Sequence, residues 1–145
     1  MKISFTPKAM QLGLLAATFA ISASAQSFLA ELKSEHDPGR RAEMALSFAD
    51  ESFDSARTNY QKGDIHLGDV ALDNMTSALN ACVESAAVVN KARFYKKAEM
   101  KVAMLQRRLA GLLDGLSITE RGWAEQTARR VEEIHEKLLD GVMRK

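Results

Sequence analysis

The sequence predicts an all-α protein, an antiparallel up-down four-helix bundle. Three observations predict it. Ala, Leu, Glu, Lys, Arg and Met dominate; the chain beyond residue 25 holds a single proline, Pro38; and no stretch alternates apolar and polar residues as a half-buried strand does. Four apolar stripes at 3-4 spacing follow one another, and their helices are expected to pack in coiled-coil fashion.

The first 25 residues stand apart. Lys2 and Lys8 form a basic start, Met10 to Ile21 is an apolar run of 12 residues, and Ala23-Ser24-Ala25 is a small-x-small cleavage site. That is the pattern of a secretory signal peptide. The apolar run is short of the roughly 20 residues that span a bilayer. An exported chain, periplasmic or secreted, is therefore expected, with Gln26 as its mature N-terminus. No cysteine follows the site to carry a lipid, and no second apolar run is long enough to cross a membrane.

Residues 26–145 suffice for one domain: a short helix and linker over 26–39, then the bundle over 40–145. Loss of Lys2 and Lys8 moves the formal charge from +1 to −1. A near-neutral chain with intermixed charges does not point to nucleic acid. Cys82 is the only cysteine, so no disulfide forms within the chain. It lies on an apolar stripe and reads as a small buried hydrophobe; the rival readings are an intermolecular disulfide or a reactive thiol.

The linker segment carries Phe28, Leu29 and Leu32 and is broken by His36-Asp37-Pro38-Gly39. The first long helix is expected from about Arg40 to Lys62, with the stripe Ala45, Phe48/Ala49, Phe53, Ala56 and Tyr60. Gly63 suits a helix end and Asp64 can cap the next start. The second stripe is Gly68, Ala71/Leu72, Met75, Leu79, Cys82, Ala86 and Val89. The third is Phe94/Tyr95, Ala98, Val102, Leu105, Leu109, Leu112 and Leu116. The phase slips between them near Asn90-Lys91. Two helices with a tight turn are favoured; the alternative is three helices, with one long central helix spanning about 65–114. Gly115 ends the third helix. Ser117-Ile118-Thr119-Glu120 has capping-box spacing and should open the last helix, whose stripe is Ala124, Ala128, Val131, Ile134/His135, Leu138 and Val142.

Ala56, Tyr60, Gly63, Asp64, Ile65, Gly68 and Leu72 look like the turn of one tetratricopeptide hairpin, but 34 residues further on the pattern is absent. A lone match reads as a generic helical hairpin.

Phe94-Tyr95-Lys96-Lys97-Ala98-Glu99, Leu105-x-Arg107-Arg108-Leu109 and Val131-x2-Ile134-His135-x2-Leu138-Leu139-x-Gly141-x-Met143 occur together here. With Arg41-Ala42-Glu43-x-Ala45-Leu46 and Tyr60-x2-Gly63-Asp64, they resemble a family of uncharacterised exported helical proteins from bacteria of acidobacterial type. The resemblance covers most of the mature chain. It implies a helical fold and export, and no activity. Its members carry a proline-containing basic loop before the aromatic segment; this chain is shorter there and lacks the prolines.

Few residues offer chemistry. Glu132-x-x-His135 is the only Glu-x-x-His, because Lys33 precedes His36 and Gly63 precedes His66 at that spacing. A di-iron bundle needs two such motifs and two further carboxylates. The sharper reading is a b-type haem held by Met44 on the first helix and His135 on the last, a layout resembling small periplasmic cytochrome bundles. Weak metal binding through Glu132, His135 and Glu136 is another. Against both stands an ordinary boundary histidine, and no cofactor is expected. No hydrolase or phosphate-loop motif is present, so the chain is not expected to be an enzyme.

Lys91, Arg93, Lys96, Lys97, Lys101, Arg107 and Arg108 are the densest charge, interleaved by Phe94 and Tyr95. The acids of the last helix, Glu120, Glu125, Glu132, Glu133 and Glu136, are expected to offset them. Lys91, Arg93, Lys96, Lys97 and Trp123 are the candidate contacts for an unidentified protein partner in the envelope. Trp123 can instead plug the core end. A homo-oligomer is compatible with this reading. Leu116 to Glu120 only loosely echo the Leu-Thr-x-x-Gln motif of periplasmic stress chaperones. The expected role is a non-enzymatic scaffold or chaperone-like module.

An absorption spectrum with metal analysis of the purified exported protein is expected to show neither Soret band nor metal. A Soret band lost on His135→Ala would make this a haem bundle.

Overall fold

Proline is tolerated in the first turn of a helix, where its missing N–H has no partner to lose. Pro38 uses that freedom, and the Asp37 carboxylate accepts a hydrogen bond from the Gly39 amide at 3.0 Å. The expected break is present at 35–37, and the long helix that follows takes in Pro38 and Gly39, starting two residues before Arg40. The computed structural model describes residues 27–144, and every regular element in that range is helical. Helix α1 covers 27–34. The long helices are α2 (Pro38–Gln61), α3 (Ile65–Val89), α4 (Ala92–Asp114) and α5 (Gly122–Met143). Contacts divide the chain at Ser34/Glu35, so α2 to α5 belong to one unit and α1 to the other. The expected signal peptide lies outside the described residues. Among the described residues no helix is long and apolar enough to cross a membrane.

The phase slip at Asn90 is a real break. Asn90 has φ 54 and ψ 40, the left-handed conformation, and its amide still bonds to the Ala86 carbonyl. Asparagine tolerates that conformation better than other side-chain-bearing residues. A single long helix over 65–114 is thereby ruled out. Gly63, at φ +81, ends the α2 turn in the same way. Asp64 occupies the cap position of α3 without a side-chain cap hydrogen bond.

The capping box does not form. The Ser117 carbonyl accepts from the amides of Glu120 and Arg121, which makes a turn, and the Ser117 hydroxyl lies 3.2 Å from that of Thr119. With Ser117 held in the turn, α5 begins only at Gly122, and Arg121 at its cap position makes no side-chain cap bond.

Side-chain contacts give the helix directions. Tyr60, late in α2, meets Asp69, early in α3; Arg41, early in α2, donates to Ser85 Oγ, late in α3, at 3.0 Å. These two helices are an antiparallel hairpin. Glu99, early in α4, meets His135, late in α5, so α4 and α5 are a second one. Between the hairpins, Lys97 pairs with Glu43, Lys101 with Asp50 and Arg108 with Asp54. Residue numbers rise together, so α2 and α4 lie side by side and parallel. Helix α3 packs along α5.

The central parts of the expected stripes are the core, while Val89, Phe94, Leu112, Leu116, Ala128 and Val142, mostly toward the helix ends, are only half-buried. Ala45, Ala49, Phe53, Ala56, Leu72, Met75, Leu79, Cys82, Val102, Leu105, Leu109, Ala124, Val131 and Leu138 are all nearly inaccessible. Burial of each large apolar side chain contributes roughly 1.5–3 kcal/mol. Buried Thr76, Ser85 and Thr127 were not part of the expected stripes. Each donates its hydroxyl hydrogen to the carbonyl four residues earlier, which removes the cost of burying it. Two ring contacts explain small residues: a Cβ at Gly68 would overlap the Tyr60 ring, and one at Gly141 the Tyr95 ring.

Asn90→Gly is expected to leave stability within about 0.5 kcal/mol, whereas Asn90→Ala should cost about 1–2 kcal/mol. Denaturant unfolding followed by circular dichroism measures both. Equal effects would contradict a left-handed Asn90.

Candidate functional site

The basic residues of α4 fall into two sets by helical phase. One set turns toward α2. Lys97 Nζ is 2.7 Å from Glu43 Oε1, Lys101 pairs with Asp50, and Arg108 bridges Asp50 and Asp54. The Arg108 guanidinium also lies over the Phe53 ring, 4.5 Å from its centre. The acids of the last helix, which could offset these cations, do not pair with them. The partners are on α2 instead, because α4 turns this flank toward α2 and a different flank toward α5. Asp50 and Asp54 follow Glu43 at i+7 and i+11, one face of α2, which is the only sequence signal for the seam.

The other set points outward. Lys91, Arg93 and Lys96 are exposed. Arg93 lies over the Phe94 ring at 5.2 Å, and Lys91 and Lys96 form no ion pair among the described residues. Of the four basic contact candidates, Lys97 alone is committed to the α2 seam.

Trp123 is half-buried and tied down. Its indole N–H donates to Asp73 Oδ1 at 3.0 Å, Arg130 approaches the same oxygen at 3.6 Å, and the Arg130 guanidinium lies over the indole at 5.1 Å. This cluster joins α3 to α5. Asp73 had no motif to mark it.

His135 is held between helices. Its Nε2 is 2.7 Å from Glu99 Oε1, and both side chains are about four-fifths buried. Glu132 and Glu136, the expected companions, are exposed on the outward side of α5. Met44 is half-buried on α2. His36 and His66 are exposed. Among the described residues no group of three or more His, Cys, Asp or Glu side chains is placed to hold a metal ion.

Cys82 is a free thiol with no accessible surface. Burial pushes its pKa up to about 12, the environment of an inert thiol. The Tyr60 phenol is also raised well above its ordinary value, first by burial and then by its hydrogen bond to the Asp69 carboxylate.

A groove of about 690 Å³ runs beside α2 and α4. Leu46, Ala103 and the exposed Met100 and Met104 supply its apolar lining, and Arg107 stands at its edge. Both methionines lie off the core stripe, so the 3-4 periodicity does not mark them.

Comparison with protein families, curated proteins and solved structures gives no match for this chain.

Cys82 ties stability to alkaline pH. Its folded pKa lies above the unfolded value of 9.0, so its contribution is complete below pH 9 and is lost as pH rises toward 12. At pH 10 the loss is expected to be about 1 kcal/mol. Unfolding curves at pH 8 and pH 10 should therefore converge for Cys82→Ala relative to the parent chain; an unchanged pH dependence would contradict the buried thiol.

Proposed function

We propose that the chain is an exported, non-enzymatic helical module that holds a protein partner in the cell envelope. In this reading the four long helices form one up-down bundle, assembled from the two hairpins. The partner meets it at the basic turn that opens α4, through Lys91 and Arg93. Trp123 serves the module's own cohesion.

One observation carries the reading. Polar side chains on different helices engage one another: His135 with Glu99, Trp123 and Arg130 with Asp73, Arg108 with Asp50 and Asp54. A protein that works by surface contact needs such cross-links to keep its face rigid, since a pre-formed face loses less entropy on binding. The exposed cations at Lys91, Arg93 and Lys96 offer the contact. Export rests on the signal-peptide pattern and on the resemblance to exported helical proteins.

Two measurements test this. Mass spectrometry of the chain recovered from the envelope fraction should find an N-terminus at Gln26. A photo-crosslinking residue at Lys91 should give one discrete adduct in cells that is absent when the same residue stands at Glu51. An intact cytoplasmic chain, or adducts that do not depend on position, would contradict the proposal.

A further inference from the structure

The outward sides of α4 and α5 are complementary to each other. The seam between them is marked by Glu99 and His135, 2.7 Å apart. One residue on, about 100° further round each helix, stand Met100 and Glu136. Positions three before and four or eight after the seam pair give Lys96, Ala103 and Arg107 on α4, and Glu132, Leu139 and Met143 on α5. Met100 is 60% exposed, Leu139 40% and Met143 78%, half of the six large apolar side chains with high exposure among the described residues; Met104 turns further round toward α2.

The charges divide by helix. The α4 stripe carries Arg93, Lys96 and Arg107, with no acid before Asp114. The α5 stripe carries Glu132, Glu133 and Glu136, with Arg129 at its near end. Lys96, Arg107, Glu132, Glu133 and Glu136 form no ion pair among the described residues. A basic stripe with Met100 thus lies beside an acidic stripe with Leu139 and Met143. An anionic lipid surface fits the first stripe and is repelled by the second.

We infer that this two-helix face docks a second copy of the same chain, α4 of one protomer against α5 of its partner. A two-fold axis along the helices brings this about. It sets each basic stripe on the other protomer's acidic stripe, at the height at which Glu99 and His135 already align α4 with α5. Lys96 then approaches the partner's Glu136, and the exposed apolar side chains of both stripes are covered together. Such a contact is isologous and closes at two copies. This inference goes beyond the proposed module and stands apart from it: a strict monomer would remove the dimer and leave the module intact.

Sedimentation equilibrium at low and high salt tests it, with two charge-reversed chains, Lys96→Glu/Arg107→Glu and Glu132→Lys/Glu136→Lys. All four sites are exposed, and circular dichroism checks that each chain folds. The parent is expected to dimerise, more weakly in high salt. Each reversed chain alone faces like charge with like and should dimerise at least about a hundredfold more weakly. Mixed one to one, the two reversed chains restore both contacts and should pair again. A parent that stays monomeric at low salt, with or without binding to anionic vesicles, overturns the inference. So does a mixture that fails to pair, or a parent dimer that both reversals leave unchanged.

Discussion

Arg108 is the residue on which the arrangement of the helices turns. Its guanidinium is shared between Asp50 and Asp54 and lies over the Phe53 ring, so one α4 side chain contacts three α2 residues within about one turn. Lys101 and Lys97 extend the same seam toward the start of both helices. Half-exposed ion pairs each contribute only about 0–1 kcal/mol, far less than the buried stripes. Their effect is on geometry. Apolar stripes of Ala, Leu and Val accept several registers at similar cost, whereas three cations matched to three carboxylates accept one. The core supplies the stability, and the seam, together with the packing of α3 along α5, sets how the second hairpin lies on the first.

Everything outward follows from that selection. With the Lys97, Lys101 and Arg108 flank of α4 turned to α2, and Glu99 turned to His135, the remaining side of α4 must carry Lys96, Met100, Met104 and Arg107. The groove beside α2 and the mixed-charge face shared with α5 are thus two consequences of one helix phase. The Asp73, Trp123 and Arg130 cluster closes the other contact, between α3 and α5.

The elements were legible in the sequence, because helical length and the inward stripe are properties of a single segment. Phe53, Leu79, Leu105 and Leu138 lie where a 3-4 spacing puts them. One local signal misled, and another was read correctly though unmarked. Ser117 and Glu120 had the right spacing for a capping box, but the turn claims the Ser117 carbonyl and α5 starts later. Asn90 carried the break without proline or glycine, since asparagine tolerates the left-handed backbone. Pairing between segments was not legible. Nothing within α4 says that its cations face Asp50 and Asp54 and not the acids of α5, and nothing near His135 points to Glu99, 36 residues away. Such partners are chosen by which flank each helix buries, a property of the assembled molecule.

The parallel run of α2 beside α4 is the central claim, and spin-label distances test it directly. Nitroxides would be placed at exposed positions, on Arg40 with Arg93 in one sample and on Arg40 with Arg107 in another, in a Cys82→Ala background. Parallel neighbours put Arg93 level with Arg40 and Arg107 about 21 Å further along, from 14 residues at 1.5 Å each. The first pair should give the clearly shorter distance. A shorter distance for Arg40 with Arg107 would mean that α4 runs against α2, and the seam at Arg108 could not exist.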